Sequence, residues 1–334
     1  MVRNALVVLA GFLLMVIAYA AFEMFVPVRS GNKNIEVEIP RGATFRQAAD
    51  VLWKERLIRD KKIFLALGRL TGADRKIRAG FYSFWSNMSP LDIFSIIRKG
   101  RIIEFELRVI EGDSLYEIAE TFAKAGLVSE EEFMELVRDP GILASHDIEA
   151  QSMEGYLYPD TYIVPKGIKA EDALDIMLSR MKEKFSPEIA ARAEALGMTK
   201  TGVLTLASII EKEAVADEER PVISAVYHNR LRKGMPLQAD PTSIYGIKSS
   251  KERITKADLQ RKTPYNTYVI KGLPPGPIAS PGLKSMIAAV NPAQVPYLYF
   301  VSNNDGTHNF SISLNEHEAA VRAYREKKRT KEEG

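Results

Sequence analysis

The sequence predicts an α+β protein with an N-terminal membrane helix, a small α/β module and a larger mixed α+β domain. Three observations lead to this prediction. The chain of 334 residues opens with a continuous apolar run, which is typical of a membrane span. Short segments with period-two alternation then lie among amphipathic segments with helical spacing. Apolar residues make up 46% and charged residues 27% of the chain, as in a globular protein long enough for two or three modest cores.

The N-terminal run predicts a membrane anchor over residues 1–26. Residues 5–22 are uncharged and apolar, and as a helix they would reach about 27 Å, close to the thickness of the hydrocarbon core. Arg3 precedes the run and Glu23 follows it, which favours a cytoplasmic N-terminus. We expect one pass through the inner (cytoplasmic) membrane, with the rest of the chain periplasmic. The alternative is a signal peptide cleaved after "AYA" (18–20).

Residues 35–108 predict the small α/β module. Thr44 and Ser89 stand where N-caps would begin two amphipathic helices, and Pro90 suits the first turn of the second one. Gly100 is expected to end that helix. In chain order the predicted elements are strand "IEVEI" (35–39), the Thr44 helix, helix "KIFLALGRL" (62–70), strand "AGFYSF" (79–84), helix 89–100 and strand "IIEFELRVI" (102–110).

A partial repeat of this module follows in residues 109–150, which we assign to a helical connecting region. "RGATFRQAADVLWKERLI" (41–58) is echoed by "EGDSLYEIAETFAKAGLV" (111–128), with Gly42 matching Gly112 and Thr44 matching Ser114. Small strand–helix–helix–strand units of this kind resemble LysM modules, which bind glycan chains rich in N-acetylglucosamine. The resemblance implies a LysM-like module and leaves open whether it binds glycan here.

Residues 151–328 predict the larger mixed α+β domain, and a charged tail (329–334) follows it. The domain opens with "SMEGYLYPDTYIVPKG" (152–167), which is dense in aromatic residues, proline and glycine. Helices are expected at about 170–186, 200–216 and 220–233, followed by proline-rich loops and a buried strand at "YLYFV" (297–301). Long loops held rigid by proline usually build a binding site.

Two carboxylates lie two positions apart in the helix segment "LASIIEKEA" (206–214). On a helical wheel Glu213 falls inside the apolar arc, whereas Glu211 and Lys212 fall outside it on either side, so Glu211 is expected to be solvated. A carboxyl group on a buried arc titrates late, as a general acid must. The alternative for Glu213 is an ordinary salt bridge to Arg220 or Arg230.

The loops around this helix carry aromatic platforms and neutral hydrogen-bonding groups, which suit the apolar faces and polar edges of a sugar polymer. The chain lacks a glycine-rich phosphate loop and a GxSxG elbow. The candidate substrate-binding residues are Tyr158, Gln238, Asp240, Tyr245, Tyr265, Asn266 and Tyr268.

The composition excludes several other functions. The 46 basic and 43 acidic residues give a net charge of +3, with no clustered basic face for nucleic acid. The absence of cysteine excludes disulfides and thiolate chemistry. The histidines lack HExxH spacing, and His317 in "NEHEAA" is expected on solvated helix surface. We therefore expect no metal and no cofactor.

Seven motifs in one order make the chain resemble the MltG-type (YceG-like) endolytic murein transglycosylases from the membrane anchor to about residue 328. In that family the catalytic glutamate is the second one of the EKE segment, which is Glu213 here. A departure is "IASPG" (278–282), where relatives often carry another small residue before the proline. The motifs are "EGYLYPDTY", "LASIIEKEA", "VYHNRL", "GMPLQADPT", "TPYNTY", "GLPPGPIASPG" and "PYLYFV".

The resemblance implies cleavage of the β-1,4 bond between N-acetylmuramic acid and N-acetylglucosamine within peptidoglycan strands. Glu213 would protonate the glycosidic oxygen and then take the proton of the muramic C6 hydroxyl, which closes a 1,6-anhydro ring without water. The implied partner is the peptidoglycan glycan strand, and a peptidoglycan synthase partner stays open. Two alternatives remain: a two-carboxylate hydrolase that uses Glu213 with Asp240, and a non-catalytic wall-binding protein.

Overall fold

The computed structural model describes residues 2–75, 77–248 and 252–332. It confirms a mixed α+β protein with an N-terminal apolar helix. The chain divides into two compact units. The first comprises Met1–Glu106 with Ile163–Ile168, and the second comprises Leu107–Tyr162 with Lys169–Gly334.

The apolar N-terminal segment forms helix α1 (Val2–Phe25), which lies within the predicted anchor 1–26 and extends beyond the uncharged run 5–22 at both ends. Its most apolar window has a mean hydropathy of 2.6, and none of that window is buried in the structure. By length and composition the helix can cross a membrane or act as a signal sequence.

The first unit is built on an antiparallel strand pair, β1 (Asn34–Ile39) with β2 (Gly80–Trp85), in the register Ile39 opposite Gly80. The strands confirm the predicted alternation, since Val37 and Ile39 point into the core. Three helices cover this pair in sequence order: α2 (Phe45–Lys54), α3 (Lys61–Thr71) and α4 (Pro90–Arg98).

Local capping chemistry sets the starts of α2 and α4, as predicted. The Thr44 and Ser89 hydroxyls each accept the backbone N–H three residues on, and each cap forms a reciprocal capping box, which satisfies two N–H groups that would otherwise lack partners. The helices then meet through three aromatic rings. Phe45 stacks on Phe64 with ring centres 5.4 Å apart, and Phe94 meets both rings edge-on.

Strand β3 (Glu104–Arg108) pairs with β4 (Thr161–Pro165). The sequence predicted β3 from its alternation, but it did not predict β4. The aromatic residues and prolines of residues 152–167 obscured a short strand in which Tyr162 and Val164 are buried and their neighbours are not.

The second unit is mainly helical, and α10 (Lys200–Glu213) lies near its centre. Every residue from 203 to 210 is buried, because three helices pack around α10, namely α9 (Pro187–Ala195), α11 (Arg220–Arg232) and α13 (Leu283–Val290). The predicted helices near 170–186, 200–216 and 220–233 are confirmed as α8, α10 and α11, with slightly different ends. In chain order the helices are α5 (Leu115–Lys124), α6 (Glu130–Leu136), α7 (Pro140–Ser145), α8 (Ala170–Lys184), α9 (Pro187–Ala195), α10 (Lys200–Glu213), α11 (Arg220–Arg232), α12 (Lys256–Gln260), α13 (Leu283–Val290) and α14 (Leu314–Glu332).

The C-terminal part corrects two expectations. "YLYFV" does contain a strand, β5 (Tyr299–Ser302), but it is only half-buried. In the described part of the chain its sheet has one further strand, β6 (His308–Ser311). His317 is half-buried rather than solvated: α14 packs on β5, and the imidazole stacks on Tyr299 at 5.2 Å. Most of the predicted charged tail continues α14, and residues 333–334 lie outside the described part of the chain.

Candidate active site

Helix α10 brings both glutamates of the EKE segment to its C-terminal turn. The helix ends at Glu213 because Ala214 adopts an extended backbone with φ −81° and ψ 125°. The predicted apolar arc is confirmed, since its members are all buried: Val203, Leu206, Ala207, Ile209, Ile210 and Ala214.

Glu211 corrects the sequence-based interpretation. It was expected to be solvated, yet only 5% of its side chain is exposed. One carboxylate oxygen accepts a hydrogen bond from the Arg220 guanidinium at 3.0 Å, and the other accepts the Gly282 N–H at 2.8 Å. Arg220 also donates to Asp217 and to Ser285. The wheel failed here because it assumes one buried face, whereas α10 is enclosed by neighbouring helices. The salt bridge considered for Glu213 therefore belongs to Glu211.

Glu213 has the environment of a carboxyl group that stays protonated. Burial, and then repulsion by the nearby Asp240 carboxylate, raise its pKa to about 8. The Asp240 N–H and the Tyr227 hydroxyl act in the opposite direction and lower it. Glu213 also sits at the negative end of the α10 dipole, which disfavours a second negative charge. At neutral pH most molecules therefore carry a proton on Glu213.

Tyr227 is the buried neighbour that the sequence did not select. Its side chain is 1% exposed, and burial followed by the Glu213 charge raises the pKa of its hydroxyl. Within the described residues, that hydroxyl has no partner at conventional hydrogen-bond geometry. The Tyr227 hydroxyl lies close enough to Glu213 to stabilise its charged form, although the two groups do not form a hydrogen bond of conventional geometry.

Asp240 and Tyr268 adjoin Glu213 in the structure. The Tyr268 hydroxyl donates to Asp240 Oδ1 at 2.5 Å. Asp240 is exposed and Tyr268 is half-buried, so both have surface available to a ligand. The charges of Asp240 and Glu213 also contribute to the raised pKa of Tyr268, which places the three groups in one cluster.

Gln238 is exposed beside this cluster and is held in an unusual backbone conformation. Its φ is +50°, a left-handed geometry that is uncommon outside glycine. The Arg230 guanidinium donates to the Gln238 side-chain oxygen at 3.1 Å and to the Leu237 carbonyl at 2.9 Å. The turn is therefore fixed from beneath by a buried arginine.

A threonine pair fastens the two loops that carry Asp240 and Tyr268. The hydroxyls of Thr242 and Thr267 lie 2.8 Å apart, and the Ala239 N–H donates to Thr267 at 2.9 Å. All three residues are fully buried. The Asp240–Tyr268 pair is thus presented by a rigid frame.

Asn266 was expected to bind substrate, but the structure places it inside a loop with 0% exposure. Its amide donates to the carbonyls of Asp258, Leu259 and Arg261 at 3.1, 3.1 and 2.8 Å. Its oxygen accepts the Tyr268 N–H at 3.0 Å. Asn266 therefore shapes the loop that holds Tyr268 and offers no surface to a ligand in this structure.

Tyr245 and Tyr265 form a second cluster around Glu154. Their rings lie 4.6 Å apart at 45°, and the Tyr245 hydroxyl donates to Glu154 at 2.7 Å. Glu154 is 1% exposed, and burial raises its pKa to about 7. Sequence reasoning missed Glu154, although a carboxylate between Met153 and "GYLY" in an apolar stretch was an available indication.

A cleft of about 640 Å³ lies beside the second cluster. Tyr245 and Tyr116 line it, together with Lys212 and Pro241. Glu213, Asp240 and Tyr268 are not among the residues that line this cleft. The volume is within the range usual for ligand sites.

Tyr158 lies apart from these groups. It is buried, its ring faces the Lys184 ammonium at 5.9 Å, and its carbonyl accepts the Tyr162 hydroxyl at 2.6 Å. These contacts pack α8 against the loop before β4, and they do not bring Tyr158 to Glu213.

The fold and site together define a protein with a carboxyl group of raised pKa at a helix end, in one cluster with Asp240 and Tyr268. The YceG-like family model matches residues 37–323, so the chain belongs to the YceG-like family. It is 32% identical over 317 residues to the endolytic murein transglycosylase of Bacillus subtilis, covering 89% of this chain and 87% of that protein.

Two further similarities support the assignment. The chain is 28% identical over 333 residues to the endolytic murein transglycosylase of Streptococcus pneumoniae, covering 90% of this chain and 60% of that protein. A crystal structure of a YceG-like protein from Listeria monocytogenes superposes with a TM-score of 0.60 at 32% identity, covering 87% of this chain and all of the other.

Proposed function

We propose that this protein is a membrane-anchored lytic transglycosylase. It cleaves the β-1,4 bond between N-acetylmuramic acid and N-acetylglucosamine within peptidoglycan strands and leaves 1,6-anhydro ends. The observation that carries the proposal is Glu213, a carboxyl group at the end of α10 whose pKa is raised to about 8, first by burial and then by repulsion from Asp240. The relatives named endolytic murein transglycosylase support the same reaction.

Glu213 acts first as the general acid. Protonated at neutral pH, it donates to the glycosidic oxygen as the bond breaks. The resulting carboxylate then accepts the proton of the muramic C6 hydroxyl, whose oxygen closes onto C1. The 2-acetamido group of the substrate stabilises the cationic centre. One enzyme carboxyl group therefore suffices, whereas ordinary glycosidases use two.

Asp240 tunes this acid. Its charge helps to keep Glu213 protonated, and its carboxylate already accepts the Tyr268 hydroxyl at 2.5 Å. These contacts favour a supporting role. In the competing mechanism, a two-carboxylate hydrolase, Asp240 would instead activate a water molecule.

The domain roles follow the sequence divisions. Residues 1–26 anchor the chain in the inner membrane with a single pass, 35–108 form a LysM-like module, 109–150 connect, 151–328 form the periplasmic catalytic domain and 329–334 are a charged tail. The β1–α2–α3–β2 order of the first unit supports the module assignment, and α1 supports the anchor. This placement suits an enzyme that terminates nascent strands beside peptidoglycan synthases.

The test is product analysis with the full chain in detergent. Digestion of peptidoglycan should release fragments with 1,6-anhydro-muramic ends, identified by a mass one water lower than that of a reducing end. Reducing ends would assign a hydrolase. Binding without turnover would assign a wall-binding protein.

A further inference from the structure

Glu154 is a buried carboxyl group that the proposed reaction does not use. Both of its oxygens accept the Leu115 N–H, at 3.2 and 3.1 Å, and one also accepts the Tyr245 hydroxyl at 2.7 Å. Burying such a group is costly unless its hydrogen bonds are made. The Leu115 N–H, the Tyr245 hydroxyl and the Gly155 N–H therefore hold Glu154 in place.

Helix capping alone does not account for Glu154. Leu115 is the first residue of α5, but that helix has its own capping box, in which Glu117 accepts the Ser114 N–H at 2.7 Å. The bond that no local cap replaces is the one to Tyr245, which lies 91 residues away in the chain. The buried Glu154 carboxyl group therefore serves to hold the Tyr245 hydroxyl in place.

The bond to Glu154 fixes a corner made by two tyrosine rings. Tyr245 is held at its hydroxyl by Glu154 and at its ring by Tyr265, 4.6 Å away and inclined by 45°. Both residues are half-buried, and Tyr245 lines the cleft next to Tyr116. A ring held in this way loses no rotational freedom when a flat ligand stacks on it, so binding costs less.

Apolar and charged side chains also line the cleft. The apolar ones are Ile244, Ile247, Ile254 and Ile278, and the charged ones are Lys212, Lys248, Glu117, Glu120, Glu130 and Glu252. Aromatic and aliphatic walls suit the apolar face of a sugar ring, and polar groups suit its hydroxyls.

We propose that Glu154 is a positioning residue that fixes the Tyr245–Tyr265 corner as a saccharide subsite in the cleft that Tyr245 lines. The inference rests on the proposed function, because the saccharide is the neighbouring sugar of the same glycan strand. Glu154 touches no reacting atom and acts through Tyr245.

The test measures saccharide affinity separately from turnover. A tetramer of N-acetylglucosamine is titrated by calorimetry into the full chain in detergent carrying Glu213→Gln, which blocks cleavage. Into this background we introduce Glu154→Gln, Glu154→Ala or Tyr245→Phe. Tyr297→Phe is the matched control, since it removes a hydroxyl from an aromatic pair formed with Phe310.

Loss of the fixed hydroxyl should raise Kd roughly 3- to 10-fold in Tyr245→Phe, the scale of one hydrogen bond. Glu154→Ala should match or exceed that change. Glu154→Gln should lie between Glu154→Ala and the parent, because an amide oxygen still accepts a hydroxyl. Combining Tyr245→Phe with Glu154→Gln should add little, since both remove one interaction. In chains with Glu213 intact, Tyr245→Phe should raise KM for uncross-linked glycan strands and change kcat less than twofold.

Unchanged Kd in Glu154→Gln and Tyr245→Phe, with only a lower melting temperature, would overturn the inference and make Glu154 purely structural. So would an equal loss in Tyr297→Phe. If the Kd changes appear as expected but the unmodified chain releases no anhydro ends, the subsite stands and the proposed reaction fails.

Discussion

Replacing Glu213 with glutamine should make the protein more stable and inactive at the same time. The folded pKa of Glu213 is about 8 against an ordinary value of 4.5. Between about pH 4.5 and pH 8, Glu213 therefore keeps a proton in the folded state that it releases in the unfolded state. By linkage, the free energy of unfolding of the unmodified protein falls as pH rises from about 4.5 to about 8. Glu213→Gln carries no such proton and escapes that loss.

The size of the effect follows from the shift. Each pH unit between the two pKa values is worth about 1.4 kcal/mol. At pH 7 about 2.5 units have been crossed, so the variant should be more stable by about 3 kcal/mol. The advantage should vanish near pH 4 and level off above pH 8. Loss of the proposed general acid should also reduce turnover at least ~10²-fold.

Urea unfolding of both proteins in the same detergent, at several pH values from about 4 to 9, measures the difference directly. Glu154, whose pKa is also raised, contributes the same slope to both proteins and cancels. A stability difference that is flat with pH would refute the buried-acid reasoning. A less stable Glu213→Gln would show that the carboxylate is paired and charged.

Four other predictions follow from the same contacts. Glu211→Gln should destabilise the fold by about 1–3 kcal/mol, because a buried ion pair loses its charge while keeping a hydrogen bond; urea unfolding should therefore give the opposite sign from Glu213→Gln, and activity per folded molecule should change little. Asp240→Asn should lower the pKa of Glu213, and the alkaline limb of the kcat/KM profile should move to lower pH; an unmoved limb would remove Asp240 from the cluster. Tyr265→Ala should weaken substrate use by about 1–3 kcal/mol with the fold intact; unchanged kinetics with a lower melting temperature would assign it to the core. Mass spectrometry of the membrane fraction should find the uncleaved anchor, and a mature chain starting at Ala21 would contradict it.

Local patterns explain what the sequence could predict. The first turns of α2 and α4 are set by N-caps whose hydrogen bonds reach only three residues along the chain. Thr44 and Ser89 could therefore be identified as N-caps from the sequence. Glu213 could also be selected from the sequence, since the position of a residue on the apolar arc of one helix depends on that helix alone. The family motifs added the chemistry that the arc alone left open.

Long-range packing explains the errors. Glu211 appeared solvated because a wheel cannot show that α11 and α13 close over the opposite side of α10. Glu154 was missed because its partners lie 39 and 91 residues away. Asn266 was read as a ligand-binding amide, whereas its geometry satisfies carbonyls five to eight residues upstream, and such turn chemistry becomes visible only once the loop is folded.

The most direct test of the central claim, that Glu213 alone cleaves the strand without water, is digestion of peptidoglycan in water enriched in ¹⁸O. We predict that mass spectrometry will find unlabelled 1,6-anhydro-muramic ends with the unmodified chain and no product with Glu213→Gln. Reducing ends carrying ¹⁸O, or anhydro ends still released by Glu213→Gln at the unmodified rate, would contradict it.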